Sequence, residues 1–287
     1  MKLEKNAVMS VSEILKGAVG NLQKESGCLV DGVSTGYYNL DFMTKGFHNS
    51  DLIILTGDSE SYRTMLALNL VRAAVMNEKS LGVYFSLAKQ KDEISRRFLT
   101  VESGVFLPDH NFSDIEQDEQ SRIEEYIRKL EGTMLYVDDT AVLSVKDMIE
   151  SCRNIAEGKK LGFVVVDYLQ LISSEEDVTE SQRKKRIISS LKGMAKELNC
   201  PVIVLLEQGV NRICTGVDHP KISDIDDYDL IAPYADIIMI LSGDRMHGTD
   251  YHNGRDIAVI TLAKNRSGRT GSVKLRYDPI TLKFSNL

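Results

Sequence analysis

Apolar residues recur along this chain in short blocks rather than in long stripes. Leu52-Ile53-Ile54-Leu55, Leu81 to Leu87, Met134 to Val137, Gly162 to Leu171 and Pro201 to Leu206 are brief runs rich in β-branched and aromatic side chains. Runs this short do not make helices, and their lack of polar alternation predicts strands buried on both faces. Between them the apolar positions fall at helical spacing: Met65 to Val71, Lys89 to Thr100, Asn111 to Leu130, Val145 to Gly158 with Ser144 as a cap, and Gln182 to Leu198. Alternation of strand and helix through Leu206 predicts an α/β fold, a mostly parallel sheet with helices on both faces. After a loop-rich stretch from Asn211 to Tyr234, strands at Asp236 to Leu241, Asp256 to Ala263 and Gly271 to Tyr277 predict an antiparallel edge. The last two form a hairpin through Asn265 to Thr270. At the front, Met9 to Glu25 sets Val11, Ile14, Leu15, Ala18, Val19 and Leu22 on one helical face, with Ser10 or Ser12 as cap and Gly27 as stop. That face must dock on its own domain or on a neighbouring subunit. Gly32 to Asp41 and Gly46-Phe47 lead from it into the first strand.

The stretch between the first strand and the first internal helix, Gly57-Asp58-Ser59-Glu60-Ser61-Tyr62-Arg63-Thr64, has the context of a phosphate-binding loop. The working pattern is G-x-x-x-x-G-K-[ST]. Gly57 and Thr64 hold their places, but the second Gly is Tyr62 and the Lys is Arg63. Such a loop grips phosphate with backbone N–H groups at a helix N-terminus, helped by a lysine ammonium. A tyrosine puts a ring where the backbone should approach the ligand, and a broad planar guanidinium is no substitute for a point charge. Asp58 and Glu60 add two carboxylates to a loop that should attract an anion. The loop keeps its shape and loses its chemistry.

Composition adds bounds. The 43% hydrophobic and 27% charged content is that of an ordinary globular protein, and 287 residues can bury a full core. Cys28, Cys152, Cys200 and Cys214 are widely spaced with no C-x-x-C pair, which argues for reduced thiols rather than disulfides or zinc. No apolar run approaches the roughly 18 residues of a membrane span, so a cytoplasmic location is expected. The net charge of −7 disfavours bulk polyanion binding without excluding a local basic channel. The best basic patch is Arg183-Lys184-Lys185-Arg186, which also reads as a solvated helix face.

Several of these stretches together resemble one family. Thr35-Gly36-Tyr37 to Asp41, Met43 to Phe47, Asp51 to Ile54, Ala67-Leu68-Asn69, Tyr84 to Leu87, Leu135 to Thr140, Val166-Asp167-Tyr168-Leu169-Gln170-Leu171, Leu191-Lys192 and Ala263 to Arg266 with Gly268 are similar to the C-terminal, RecA-like motor domain of DnaB-type replicative helicases. The likeness covers about residues 10 to 285 and implies a RecA-like three-layer fold over 28–287, preceded by a linker helix over 1–27, with the family's helical N-terminal domain absent. It also implies ATP and magnesium as cofactors. The family's phosphate lysine falls on Arg63, the preceding glycine on Tyr62, the magnesium hydroxyl on Thr64 and the Walker B aspartate on Asp167. The glutamate that activates water falls on Ala88, which accepts no proton. The Lys-x-Arg pair that reaches a neighbour's nucleotide falls on Lys264 and Arg266, both kept. Where the family's DNA loop follows Ser223-Asp224-Ile225, this chain has Asp226-Asp227-Tyr228-Asp229, the wrong sign for phosphate.

Each residue also has a plainer reading. Asp167 could be a structural carboxylate, Lys264 and Arg266 a solvated hairpin tip, and Tyr62 core packing that fills the vacated pocket. The expected function is a DnaB-like helicase homologue that has lost ATP hydrolysis and acts as a non-catalytic, oligomer-forming or regulatory subunit in DNA replication. Its alternatives are an active helicase or translocase with an atypical loop, and an ATP-binding sensor without turnover. The altered loop leads us to expect neither ATP nor magnesium, with Thr64 and Asp167 holding the metal only if nucleotide binds. Expected partners are further copies or an active DnaB-type helicase; DNA binding is expected to be weak or absent, and membrane is not expected. Fold alone is weak evidence for any of this.

Overall fold

A strand buried on both faces has to send alternate side chains into two different cores, and the central strands of this protein do so. In the computed structural model, which describes residues 30–57, 60–77, 79–107, 115–174, 179–207, 225, 227–244 and 256–287, Leu52 and Ile54 enter one core while Ile53 and Leu55 enter the other. Val164 and Val166 divide from Phe163 and Val165 in the same way, as do Val202 and Val204 from Ile203 and Leu205.

In chain order the elements are α1 (Tyr38–Thr44), β1 (Leu52–Gly57), α2 (Glu60–Arg72, prolonged by a π turn over Ala73–Asn77), β2 (Leu81–Ser86), α3 (Lys91–Ser103), α4 (Gln117–Leu130) and β3 (Leu135–Asp138). Then come α5 (Val145–Ala156), β4 (Leu161–Asp167), α6 (Glu180–Leu198), β5 (Val202–Leu205), α7 (Tyr228–Ile231), β6 (Ile237–Asp244), β7 (Asp256–Asn265), β8 (Gly271–Asp278) and β9 (Lys283–Asn286). They form one sheet in the order β3-β2-β4-β5-β1-β6-β7-β8-β9. It is parallel from β3 through β6 and antiparallel from β6 to β9.

One core holds α5 and α6 against the sheet through Met148, Cys152, Ile187, Leu191 and Met194. The other holds α2 and α3 through Leu66, Leu70, Ile94 and Phe98, and extends under Val273, Leu275 and Tyr277 of β8. The three-layer α/β architecture with an antiparallel edge is therefore the one expected. β8 keeps its other face in solvent, so its burial alternates. Ser144 does cap α5: its hydroxyl accepts from the Asp147 N–H (3.3 Å), and the Asp147 carboxylate accepts from the Ser144 N–H (2.9 Å). Thr179 and Gln182 cap α6 in the same reciprocal way. Gly82 is required by a close approach, since a Cβ there would lie 2.1 Å from the Phe163 ring.

The differences from expectation have local causes. The strand read over 162–171 stops at Asp167, and Leu169–Leu171 coil into a 3-10 turn. α1 and β9 were not anticipated, because each buries too little to show a pattern. Tyr38 and Phe42 stand exposed on α1, and Phe284 alone of the β9 residues is buried. The loop-rich stretch over 211–234 contains α7, its first part lying outside the described residues, as do the expected helix over 9–25, Cys28 and Cys214. Cys152 and Cys200 are buried thiols whose pKa burial pushes up to about 12, so they stay protonated and unreactive. Among the described residues no helix is long and apolar enough to cross a membrane.

Candidate functional site

The carboxyl ends of β1, β4 and β5 meet where an open parallel sheet usually binds ligand. β1 ends in Gly57 at φ 154°, and a Cβ there would lie 2.1 Å from the Leu241 carbonyl oxygen of β6. This glycine is needed for the chain to leave the sheet, whatever the loop binds. Asp58, Ser59 and the Glu60 side chain lie outside the described residues. Arg63, on the first turns of α2, is 4% exposed, and its guanidinium donates to the Gly57 carbonyl. The cation that should face a phosphate is thus bonded to the loop's own backbone.

Tyr62 is half-buried and packs edge-on against Tyr277 of β8, with ring centroids 4.9 Å apart; Tyr277 in turn meets Phe284 of β9 at 4.6 Å. Core packing was the role expected for Tyr62, and the ring joins the second core, on the α2 side of the sheet.

Asp167 ends β4, 2% exposed, with one carboxylate oxygen accepting from the Thr64 hydroxyl (3.0 Å) and the Tyr84 phenol (2.8 Å). Burial, and then the neighbouring Asp167 carboxylate, hold the Tyr84 pKa well above the usual tyrosine range, so the phenol remains a donor. Tyr84 was not anticipated as part of the site. Period-two alternation could have found it, since it is the one residue of β2 whose side chain carries a polar tip on a large ring.

Ala88 lies exposed just past β2, beside the end of β4 through the Leu87 N–H bond to the Asp167 carbonyl (2.8 Å). It offers no base. Glu207 was missed as well. The Leu206 N–H bonds the Leu55 carbonyl (2.9 Å), which extends the β1–β5 register and brings Glu207 level with Gly57. The Gln170 side-chain amide brackets its backbone, accepting from the Glu207 N–H (3.2 Å) and donating to the Glu207 carbonyl (2.6 Å).

ATP with magnesium fits these residues in one half only. Thr64 and Asp167 have the oxygen chemistry a magnesium ion takes. The phosphate half does not fit: Arg63 is turned onto Gly57, Tyr62 replaces a bare backbone, and Glu207 stands at the same edge. No reaction step through the nucleotide follows from this arrangement.

Lys264 and Arg266 lie at the other edge. Asn265 pairs with Ile237, and Ile237 with Ile53, so this pair sits beside the start of β1. Lys264 is not a solvated tip. Its ammonium donates to the Ala232 and Ala235 carbonyls, 2.6 Å each, closing the end of α7, and burial lowers its pKa. Arg266 is 72% exposed, with Nη1 on Asp236 Oδ1 at 3.0 Å. Asp236 also accepts from the Leu52 N–H (2.8 Å) and Lys192 (2.5 Å). Burial alone would raise its pKa; these bonds win and hold the carboxyl below the usual range.

The basic run is partly consumed within the chain. Arg183 donates to the Ile172 carbonyl (2.9 Å), and Lys184 pairs with Asp227 (2.8 Å) and Glu180 (3.0 Å). Asp227, which begins the turn into α7, is the aspartate that Lys184 neutralises; Asp229 is exposed, and Asp226 with residues 208–224 lies outside the described residues. Among the described residues no group of three or more His, Cys, Asp or Glu could hold a metal.

Comparison with known proteins bears on the family and the fold. The family described as DnaB-like helicase C terminal domain matches residues 32–286. A probable replicative DNA helicase of Trieres chinensis is 30% identical over 266 residues, covering 91% of this chain and 58% of that protein. The replicative DNA helicase DnaB of Geobacillus stearothermophilus is 31% identical over 260 residues, covering 90% of this chain and 57% of its own length. The chain thus spans less than three fifths of these relatives. Among solved structures, a DnaB-like replicative helicase described with its interactions with primase has a TM-score of 0.84 at 23% identity, covering 98% of this chain and 67% of that one. At that identity the likeness speaks for the fold, which is RecA-like.

Proposed function

The chain belongs to the DnaB-like helicase C terminal domain family, and we propose that it is a member that has lost ATP hydrolysis and serves DNA replication as an oligomer-forming, regulatory subunit. The observation that carries this reading is the buried Arg63 guanidinium bonded to the Gly57 carbonyl. A phosphate would have to displace that bond and then be held by a wider, planar cation in the lysine's place.

Three further features support it. Tyr62 is committed to the Tyr277 ring, Ala88 cannot orient water, and Glu207 adds a like charge where a terminal phosphate would approach. The expected division into a linker over 1–27 and a RecA-like domain over 28–287 belongs to this reading, the linker lying outside the described residues. Arg266 is the side chain of the Lys-x-Arg pair that reaches outward, while Lys264 is spent on α7. DNA contact is weak on this reading, because the exposed Asp229 stands where phosphate would need a cation. The intact Thr64–Asp167 pair favours one second reading, a sensor that binds ATP without turnover.

Calorimetric titration of Mg-ATP into the native chain and into the Tyr62→Gly/Arg63→Lys variant separates these readings. We expect no heat from the native chain and binding by the variant. Micromolar binding by the native chain would overturn the reading of the loop.

A further inference from the structure

Among the exposed charges at the two edges of the parallel sheet, Glu207 at one and Arg266 at the other are opposite in sign and stand on anchored positions. At the carboxyl edge Glu207 stands level with Gly57, one strand spacing of about 4.8 Å away. Its backbone is fixed by Gln170 and by the Leu206–Leu55 bond. Its side chain is exposed, and among the described residues its carboxylate has no hydrogen bond or ion pair. At the amino edge Arg266 is anchored through Nη1 to Asp236, itself locked by Lys192 and the Leu52 N–H. A guanidinium carries five N–H donors, so most of this one still faces outward.

The six residues of β1 separate the two edges by roughly 16 Å at about 3.3 Å per residue. No intrachain bond can close that gap. A head-to-tail neighbour can, because its amino edge meets the first copy's carboxyl edge, a heterologous contact that closes into a ring or runs on as a filament.

We propose that Glu207 takes the place of a nucleotide phosphate as the anion that Arg266 of a second copy of this chain grips, so that copies associate without nucleotide. The proposal rests on the reading that the loop no longer holds ATP. In a working site a bound phosphate would supply this counter-charge; here the chain supplies its own. Carboxylate and guanidinium match in planar, two-point geometry. Asp236 pre-positions the guanidinium and Gln170 fixes the backbone that carries the carboxylate, which reduces the ordering cost of contact. A chain of net charge −7 repels its copies in general, so a local opposite pair sets the register of approach.

Sedimentation equilibrium of the purified full chain at low salt, with no nucleotide, tests this. The native protein should associate, and salt near 1 M, where the Debye length is about 3 Å, should weaken the association. Glu207→Arg and Arg266→Glu should each weaken it at least about tenfold, and Glu207→Gln should weaken it by less. The double variant Glu207→Arg/Arg266→Glu should recover it, with circular dichroism showing each variant folded. A strict monomer, association that requires Mg-ATP, single variants that behave as native, or a double variant that fails to recover would each overturn the proposal. Calorimetric ATP binding by the native chain would sink the functional reading while leaving the charge-swap result to stand or fall alone.

Discussion

Replacing Tyr84 by Phe removes one oxygen from a fully buried position and leaves the ring packing untouched. That oxygen donates to Asp167 Oδ2 at 2.8 Å, beside the Thr64 hydroxyl at 3.0 Å. A hydrogen bond to a charged group contributes about 1.5–3 kcal/mol, and a carboxylate left short of donors in the interior loses the upper part of that range. Phe opens no cavity beyond the missing oxygen, so about 2–3 kcal/mol is the whole expected loss. For a chain this long, with 1 kcal/mol worth about 2 °C, the melting midpoint should fall by about 5 °C. Urea unfolding followed by circular dichroism should give the same loss at an unchanged slope. A double-mutant cycle with Asp167→Asn should return a coupling of at least about 1 kcal/mol. A loss below about 0.5 kcal/mol would refute the reasoning. It would mean that water already serves Asp167, as at an open metal position, and that the carboxylate is not chiefly structural.

Two other perturbations follow from the geometry. Lys264→Met strips the Ala232 and Ala235 carbonyls of their donor, and should cost about 1–2 kcal/mol with faster hydrogen exchange confined to 228–235. Lys264→Arg, which keeps a cationic donor there, should lose less than Lys264→Met. His48 lies between two carboxylates, with Nδ1 3.4 Å from Asp51 Oδ2 and Nε2 2.6 Å from Asp31 Oδ1; Asp51 foremost and then Asp31, partly opposed by burial, raise its pKa to about 9. A raised histidine pKa stabilises fully below about 6.5, and that stability is lost as pH climbs through about 9. Stability should therefore decline across that window by about 1–2 kcal/mol, discounted because the side chain is partly solvated. His48→Gln should flatten the slope, and a flat native profile between those values would refute the ion pair.

How far the residues spoke for themselves depended on how far each acts through its neighbours in sequence. The parallel strands were legible because a strand buried on both faces has no polar positions, so Ile53-Ile54-Leu55 and Val164-Val165-Val166 spell themselves out. Ser144 announced the start of α5 because a helix cap is local by construction. The missing glycine, lysine and base at Tyr62, Arg63 and Ala88 were legible from spacing and resemblance, since loss of a chemical group needs no coordinates.

Where the surviving side chains point could be decided only by the fold. Arg63 is a long flexible cation with many acceptors in reach, and the crossing of β1 and α2 selects the Gly57 carbonyl. Lys264 read as half of a trans-acting pair or as a solvated hairpin tip, until the end of α7, 32 positions earlier in the chain at Ala232, arrived beside it with open carbonyls. Glu207 had no assignable role along the sequence, because its place is set by the register of β5 against β1, a relation between segments 150 residues apart. Patterns of burial and local capping are short-range and survive in one dimension. Charge partners, helix-end donors and strand register depend on which distant backbone comes to lie within about 3 Å, and only the packed structure decides that.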